Sequence, residues 1–332
     1  MKIDVFAHIL PPKFLDALSK KAPPGFYLED LIRGTPTLSD LDTRFRIMDK
    51  YDGLMQMLTL GQPPVELVCG PEDAAELARI GNDEMAELVA KYPDRFAGAV
   101  ACLPMNDMDA ALKEADRAIH ELRFRGVQLY TPINGKPIDL PEFMPLYEKM
   151  VQHNLPIWLH PQREHTIADY STEDRSKYTI ASLFGWPYET TVAMTRLIFS
   201  GVLERYPNLK FITHHAGAMV PFFEQRIAVF YDICEMTVHA RFMRRLTKPP
   251  IEYFRSFYND TALCGSTSGL MCAYAFFGAE HLLFGTDMPY DNQLGDRNIR
   301  ETIRSVEQMD IPELEKKKIF EDNARKLLRL PV

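Results

Sequence analysis

Four short apolar runs end on residues whose types suit metal or acid–base chemistry. His8 follows Ile3–Phe6, and His160 closes Trp158-Leu159-His160-Pro161. His214 and His215 close Ile212-Thr213-His214-His215-Ala216-Gly217, and Asp287 closes Phe284-Gly285-Thr286-Asp287-Met288-Pro289. Neutral imidazoles with one carboxylate suit a borderline divalent ion such as Zn²⁺ or Mn²⁺. Three protein ligands with an open position is the pattern of a catalytic rather than a structural site. A lone histidine at a strand end is ordinarily a hydrogen-bonded loop residue, and an Asp before Met-Pro could simply initiate a turn. Four such ends in one chain weigh against coincidence. His120, His153, His165, His239 and His281 carry no comparable signal: His120 and His153 fall in helix-like stretches, and His281 precedes the last run.

These ends meet only if the chain folds so that they share a face. Eight strand-like runs are present: Ile3–Phe6, Leu54–Leu60, Phe96–Cys102, Gly126–Tyr130, Pro156–Leu159, Leu209–Thr213, Phe257–Leu263 and Leu282–Gly285. Most are short and rich in Val, Ile, Leu or Phe, as strands buried on both faces are. Phe257–Leu263 is the weakest, because Asn259 and Asp260 interrupt it. Between the runs lie amphipathic stretches, including Glu72–Tyr92, Asp107–Leu122, Thr190–Tyr206 and Ile311–Leu328, and Asn106-Asp107 offers a capping candidate for the second. The alternation predicts a (β/α)8 barrel, in which strand C-termini converge on one mouth. No repeat or Pro-rich linker divides the chain, so residues 1–332 read as one barrel domain. Two long polar segments, 11–40 and 161–187, read as insertions at that mouth, the first as a loop or small hairpin.

Composition narrows the function classes. A net charge of −8 over 332 residues argues against nucleic acid or an anionic membrane as a general partner. No apolar run nears the ~18 residues that span a bilayer, and the N-terminus has no long apolar region of a secretory signal. Five cysteines without a CxxC pair read as free thiols of a reducing compartment, so a cytoplasmic location is expected.

The ordered strand-end segments resemble the amidohydrolase-related family that includes α-amino-β-carboxymuconate-ε-semialdehyde decarboxylase and the γ-resorcylate and 5-carboxyvanillate decarboxylases. The likeness runs from Ile3-Asp4 and His8-Ile9-Leu10-Pro11, through Arg44–Asp49, Gly126-Val127-Gln128 and His160-Pro161. It is densest in Gly185–Thr191, Gly201–Lys210, His215-Ala216-Gly217 and Gln225-Arg226-Ile227, and it closes on Phe284–Pro289 and Asn323-Ala324. The resemblance implies a distorted barrel with one Zn²⁺ or Mn²⁺ ion held by His8, His160 and Asp287. His215, rather than His214, matches the family's catalytic or water-orienting histidine, so His215 and Asp287 are the expected proton carriers. Arg226 matches an arginine that reaches the neighbouring subunit's substrate carboxylate, which implies a homodimer or higher homo-oligomer.

One departure from the pattern matters. Phe6 stands where the family has its first-strand His or Glu, and phenylalanine cannot ligate a metal. Positions 6 and 8 share a strand face, so Phe6 presents its ring toward the site. Three ligands remain, and a metal-free site is the alternative. Phe6, Trp186 and Tyr290 are candidates for a flat apolar substrate pocket, with barrel filling as the other reading of Phe6. The leading expectation is non-oxidative decarboxylation of a small aromatic or unsaturated carboxylic acid. The rivals are a lactone, ester or amide hydrolase or a hydratase using the same residues, and an inactive barrel kept as a binding subunit.

Overall fold

The computed structural model describes residues 1–23, 28–237 and 246–331. His239 lies outside the described residues. The strands are β1 (Lys2–Ile9), β2 (Leu54–Leu60), β3 (Phe96–Ala99), β4 (Ala101–Cys102), β5 (Val127–Thr131), β6 (Ile157–Pro161), β7 (Phe211–Thr213) and β8 (Tyr258–Asn259). They pair in parallel in chain order, as β1-β2-β3 and β4-β5-β6-β7-β8. Val100 alone separates β3 from β4. Its N–H donates to Leu58 O at 2.9 Å, while Ala101 N–H donates to Gly126 O at 2.9 Å, so the third run joins the two halves.

The eighth run closes the ring without forming a full ladder. Leu283 N–H donates to Asn259 O at 2.8 Å, and Val5 N–H donates to Phe284 O at 2.9 Å. Further on, Asp287 N–H reaches Phe6 O at 3.1 Å and His8 N–H reaches Met288 O at 2.8 Å. Residues 282–288 are therefore wedged between β8 and β1, as a (β/α)8 barrel requires.

The barrel interior is filled by Ile3, Val5, Met57, Val100, Trp158, Ile212 and Leu283, all wholly buried. Trp158 is the largest of these, and its indole N–H donates to Val5 O at 3.0 Å. The indole takes the room that a side chain at residue 126 would need: a Cβ on Gly126 would lie 2.6 Å from its ring and 2.3 Å from Pro156 O. β1 carries one extra residue between Asp4 and Ala7 relative to β2. Such a bulge re-aims side chains; here Val5 and Phe6 both join the interior cluster, and Phe6 and His8 face each other with ring centroids 5.8 Å apart.

The helices follow the apolar periodicity closely. Glu72–Tyr92 is realised as a helix over Pro71–Lys91, and Asp107 caps the helix Met108–His120 by accepting from Ala110 N. The stretch Thr190–Tyr206 is broken at Gly201, whose φ of 82° ends Trp186–Phe199 before the short helix Val202–Arg205. Within segment 11–40, helices stand at Pro12–Lys21 and Leu28–Gly34 where a loop or hairpin was expected. Pro12–Lys21 buries Phe14 and Leu18, and Glu84 accepts from the N–H groups of Lys13 and Phe14 at 3.1 and 2.9 Å. Proline at the first helical turn lacks only an N–H that has no helical partner there, so the Pro-rich start does not oppose the helix.

Candidate active site

At the C-terminal ends of the strands, four donor groups converge. One ligand atom each from His8, His160, His214 and Asp287 lies within 4.8 Å of all the others. The three imidazoles are buried and the carboxylate is partly open. His8 lies inside β1, longer than its apolar run, and His160 is the penultimate residue of β6. His214 leaves β7 in an extended conformation (φ −84°, ψ 159°), whereas Asp287 and His215 adopt positive φ of 61° and 58°.

Each ring is anchored through Nδ1. His160 Nδ1–H donates to Pro161 O at 2.8 Å, an oxygen that can only accept. His8 Nδ1 lies 3.1 Å from Thr59 Oγ1. His214 Nδ1 makes a short contact with Asp260 Oδ2. Asp260 is itself clamped, its other oxygen accepting from Ala216 N and Ala262 N, both at 3.0 Å. Anchoring Nδ1 leaves Nε2 facing the common centre, the usual way a protein orients a metal-binding imidazole.

Burial and charge set the protonation of these groups. Burial pushes His8 below the ordinary imidazole range and His160 well below it. Burial and the neighbouring His214 push His215 down to about 4. Burial also opposes charge on His214, but the carboxylates of Asp260 and Asp287 outweigh it and raise this imidazole to about 10. Burial would raise Asp287, yet His214 and His8 hold it well below the usual carboxylate range. The site thus presents two neutral imidazoles, a protonated His214 and an ionised carboxylate around one point; a divalent ion would displace the His214 proton, and the resulting donor set fits such an ion.

The structure brings His8, His160 and Asp287 together as expected, but it is His214, not His215, that joins them. The His215 ring lies against His214, centroids 4.0 Å apart and planes tilted by 30°, with its Nδ1 buried and without a hydrogen-bond partner. Phe6 is wholly buried against His214, with ring centroids 4.2 Å apart and planes 18° from parallel, so it fills the barrel beneath the donors rather than facing open space. Tyr290 packs 5.3 Å from His8. Trp186 stands 6.0 Å from His160 and lines a cavity of about 580 Å³ together with Gln62, Gln162, Arg163 and His165. Arg163 is paired with Glu189 at 2.8 Å. Gln62 Nε2 and Gln162 Oε1 are buried there without partners.

Arg226 lies apart from this site within its own chain. It is exposed on the helix Glu224–Glu235 and stacks on Phe230 at 4.3 Å. Among the helix-borne histidines, His120 and His153 group with Asp116, but the Lys149 ammonium already occupies that carboxylate. Asp260 escaped notice in the sequence because it read only as an interruption of an apolar run. A polar pair, Asn259-Asp260, at a strand end opposite two histidines was the available signal.

Comparison with known proteins agrees with this geometry. The amidohydrolase family model matches residues 3–330. A γ-resorcylate decarboxylase from Polaromonas sp. is 32% identical over 300 residues, covering 87% of each chain. The 2-amino-3-carboxymuconate-6-semialdehyde decarboxylase of Dictyostelium discoideum is 28% identical over 99% of this chain and 92% of its own. A crystal structure of dihydroxybenzoic acid decarboxylase from Polaromonas sp., with bound manganese and the inhibitor 2-nitroresorcinol, superposes with a TM-score of 0.81 at 28% identity, covering 99% of this chain and 96% of that one. With converging donors at the mouth of a parallel barrel and a family match over nearly its whole length, the chain belongs to the amidohydrolase family.

Proposed function

We propose that this protein is a carboxy-lyase that decarboxylates a small hydroxyaromatic or unsaturated carboxylic acid without an oxidant. The observation that carries the reading is the convergence of His8, His160 and Asp287 beside the cavity bordered by Trp186, in a chain whose similar proteins are decarboxylases. His8, His160 and Asp287 would hold a divalent ion, Zn²⁺ or Mn²⁺; when bound, it supplies Lewis acidity to the substrate carboxylate and an adjacent oxygen.

The chain's own residues do the rest. Trp186 and Tyr290 offer flat apolar faces for an aromatic ring. The unpartnered Gln62 Nε2 donates and the unpartnered Gln162 Oε1 accepts, a pair that complements a hydroxyl group. Decarboxylation requires a proton on the carbon that carries the carboxylate; the electrons of the breaking C–C bond then return to the ring as CO₂ leaves. Asp287, ionised at the convergence point, would accept a proton from the substrate's hydroxyl group and deliver it to that carbon, with the neutral His215 as the second carrier.

The reading includes a homodimer or higher homo-oligomer. Helix Glu224–Glu235 has no fully buried side chain among its described residues, and Phe222, Val229, Phe230 and Ile233 are exposed around Arg226. A second copy covering this face would allow Arg226 to neutralise a carboxylate in the neighbouring site. Among the described residues no helix is long and apolar enough to cross a membrane. A cytoplasmic location belongs to the proposal, supported by five free thiols.

The test is incubation of Mn²⁺- or Zn²⁺-loaded protein with a panel of hydroxybenzoates and muconate-type acids. Stoichiometric CO₂ and the decarboxylated product are expected. Acid release from lactones or esters, with no CO₂ from any acid, would overturn the reading in favour of a hydrolase.

A further inference from the structure

We infer that His214 is a fourth metal ligand, oriented by Asp260 and seated on Phe6, so that the centre has three imidazoles and one carboxylate. The inference rests on the metal-dependent reading above and changes its ligand set from three residues to four.

Distances decide between a ligand and an ion-pair role. His8 Nε2 and His214 Nε2 lie 3.3 and 3.2 Å from the same atom, Asp287 Oδ1. Charge-assisted N–H···O bonds are shorter, at about 2.7–2.9 Å. Neither nitrogen makes a hydrogen bond in this structure, although both are buried. Ligands about 2.1 Å from a shared ion in a tetrahedral arrangement stand roughly 3.4 Å from one another. The observed separations are therefore those of neighbouring ligands around a common point.

The surroundings of His214 are built for that role. Asp260 takes its Nδ1–H, and two backbone N–H groups fix Asp260 in turn. The Phe6 ring lies parallel beneath it and blocks rotation toward the barrel interior. A phenylalanine at position 6 is thus the platform of a ligand supplied from β7. His215, next in sequence, turns at positive φ and contributes no atom to the convergent group. With the ion in place of the His214 proton, three neutral imidazoles and one carboxylate would leave a divalent ion with one net positive charge, which a single substrate carboxylate neutralises.

The test uses Co²⁺ in the full-length protein, because cobalt reports its ligands spectroscopically. X-ray absorption on the wild-type Co²⁺ protein should count three imidazoles; two would overturn the inference. His214→Ala should weaken Co²⁺ binding, measured by chelator competition, by at least 10-fold and alter the visible absorption band. Asp260→Asn should weaken it about 10–100-fold, the usual loss when a ligand's hydrogen-bond partner is removed. His215→Ala should leave affinity and spectrum close to wild type. In Phe6→His/His214→Ala, a first-strand imidazole should recover part of the affinity. A folded His214→Ala protein with wild-type affinity and spectrum would refute the assignment. Three imidazoles with no CO₂ from any acid would sink the decarboxylase reading alone. CO₂ release from a centre with two imidazoles would sink this inference alone.

Discussion

Glu66 should make the protein more stable in mild acid than at neutral pH. It lies on the short helix Val65–Val68, between two core valines, and is 6% exposed. No cation pairs with it among the described residues, so burial alone pushes its carboxyl up to about 7, slightly opposed by a hydrogen bond from its own N–H. In the unfolded chain this carboxyl titrates near its ordinary value of 4.5. Between those values the folded state holds more protons than the unfolded state, so stability falls as pH rises and levels off above about 7. The gap corresponds to roughly 3 kcal/mol at about 1.4 kcal/mol per pH unit. Glu66→Gln removes the ionisation and keeps most of the shape. Urea unfolding of both proteins from pH 4.5 to 8 should show nearly equal stability at the acid end. At pH 8 the variant should be the more stable by about 2–3 kcal/mol. A stability difference that does not change with pH would refute the reasoning.

Other outcomes test the site and the barrel. Removing divalent metal with a chelator should abolish CO₂ release, and Mn²⁺ or Zn²⁺ should restore it; undiminished turnover after exhaustive chelation would contradict the metal-dependent reading. Gln62→Leu and Gln162→Leu should each lower kcat/KM about 2–10-fold for a hydroxylated acid, the value of one hydrogen bond, and leave the analogue lacking that hydroxyl nearly unaffected. Trp158→Ala should cost about 3–5 kcal/mol in urea unfolding, as a cavity opens in the barrel interior; a loss under 1 kcal/mol would mean that Trp158 does not fill it. Sedimentation should find a dimer or larger assembly that Phe222→Asp weakens, and a monomeric wild type would remove Arg226 from any neighbouring site.

The barrel was legible because its signal is redundant. Eight apolar runs and the amphipathic stretches between them repeat one pattern, and no single weak run breaks it. His8, His160 and Asp287 were legible for a related reason: strand ends map to one mouth whatever the loops do. The role of His214 was not legible. Adjacent histidines leaving a strand differ only in backbone conformation, extended for His214 and positive φ for His215, and no local composition specifies that turn. Asp260 was hidden because its value lies in a partner 46 positions away. The helices within 11–40 were obscured by five prolines, three of which stand at or just before a helix start, where proline is tolerated.

The wedge formed by residues 282–288 also orders events during synthesis. It supplies Asp287 and closes the ring against β1, yet β1 with His8 is among the first segments made. Nearly 280 residues separate those two donors in the chain. At about 5–20 residues per second, roughly 15–55 seconds pass between them on the ribosome. Throughout that interval β1 has one edge without its final neighbour. A chain stopped before Leu282 holds three imidazoles but lacks the carboxylate and the closing segment. The late wedge thus prevents an unfinished chain from presenting the complete donor set.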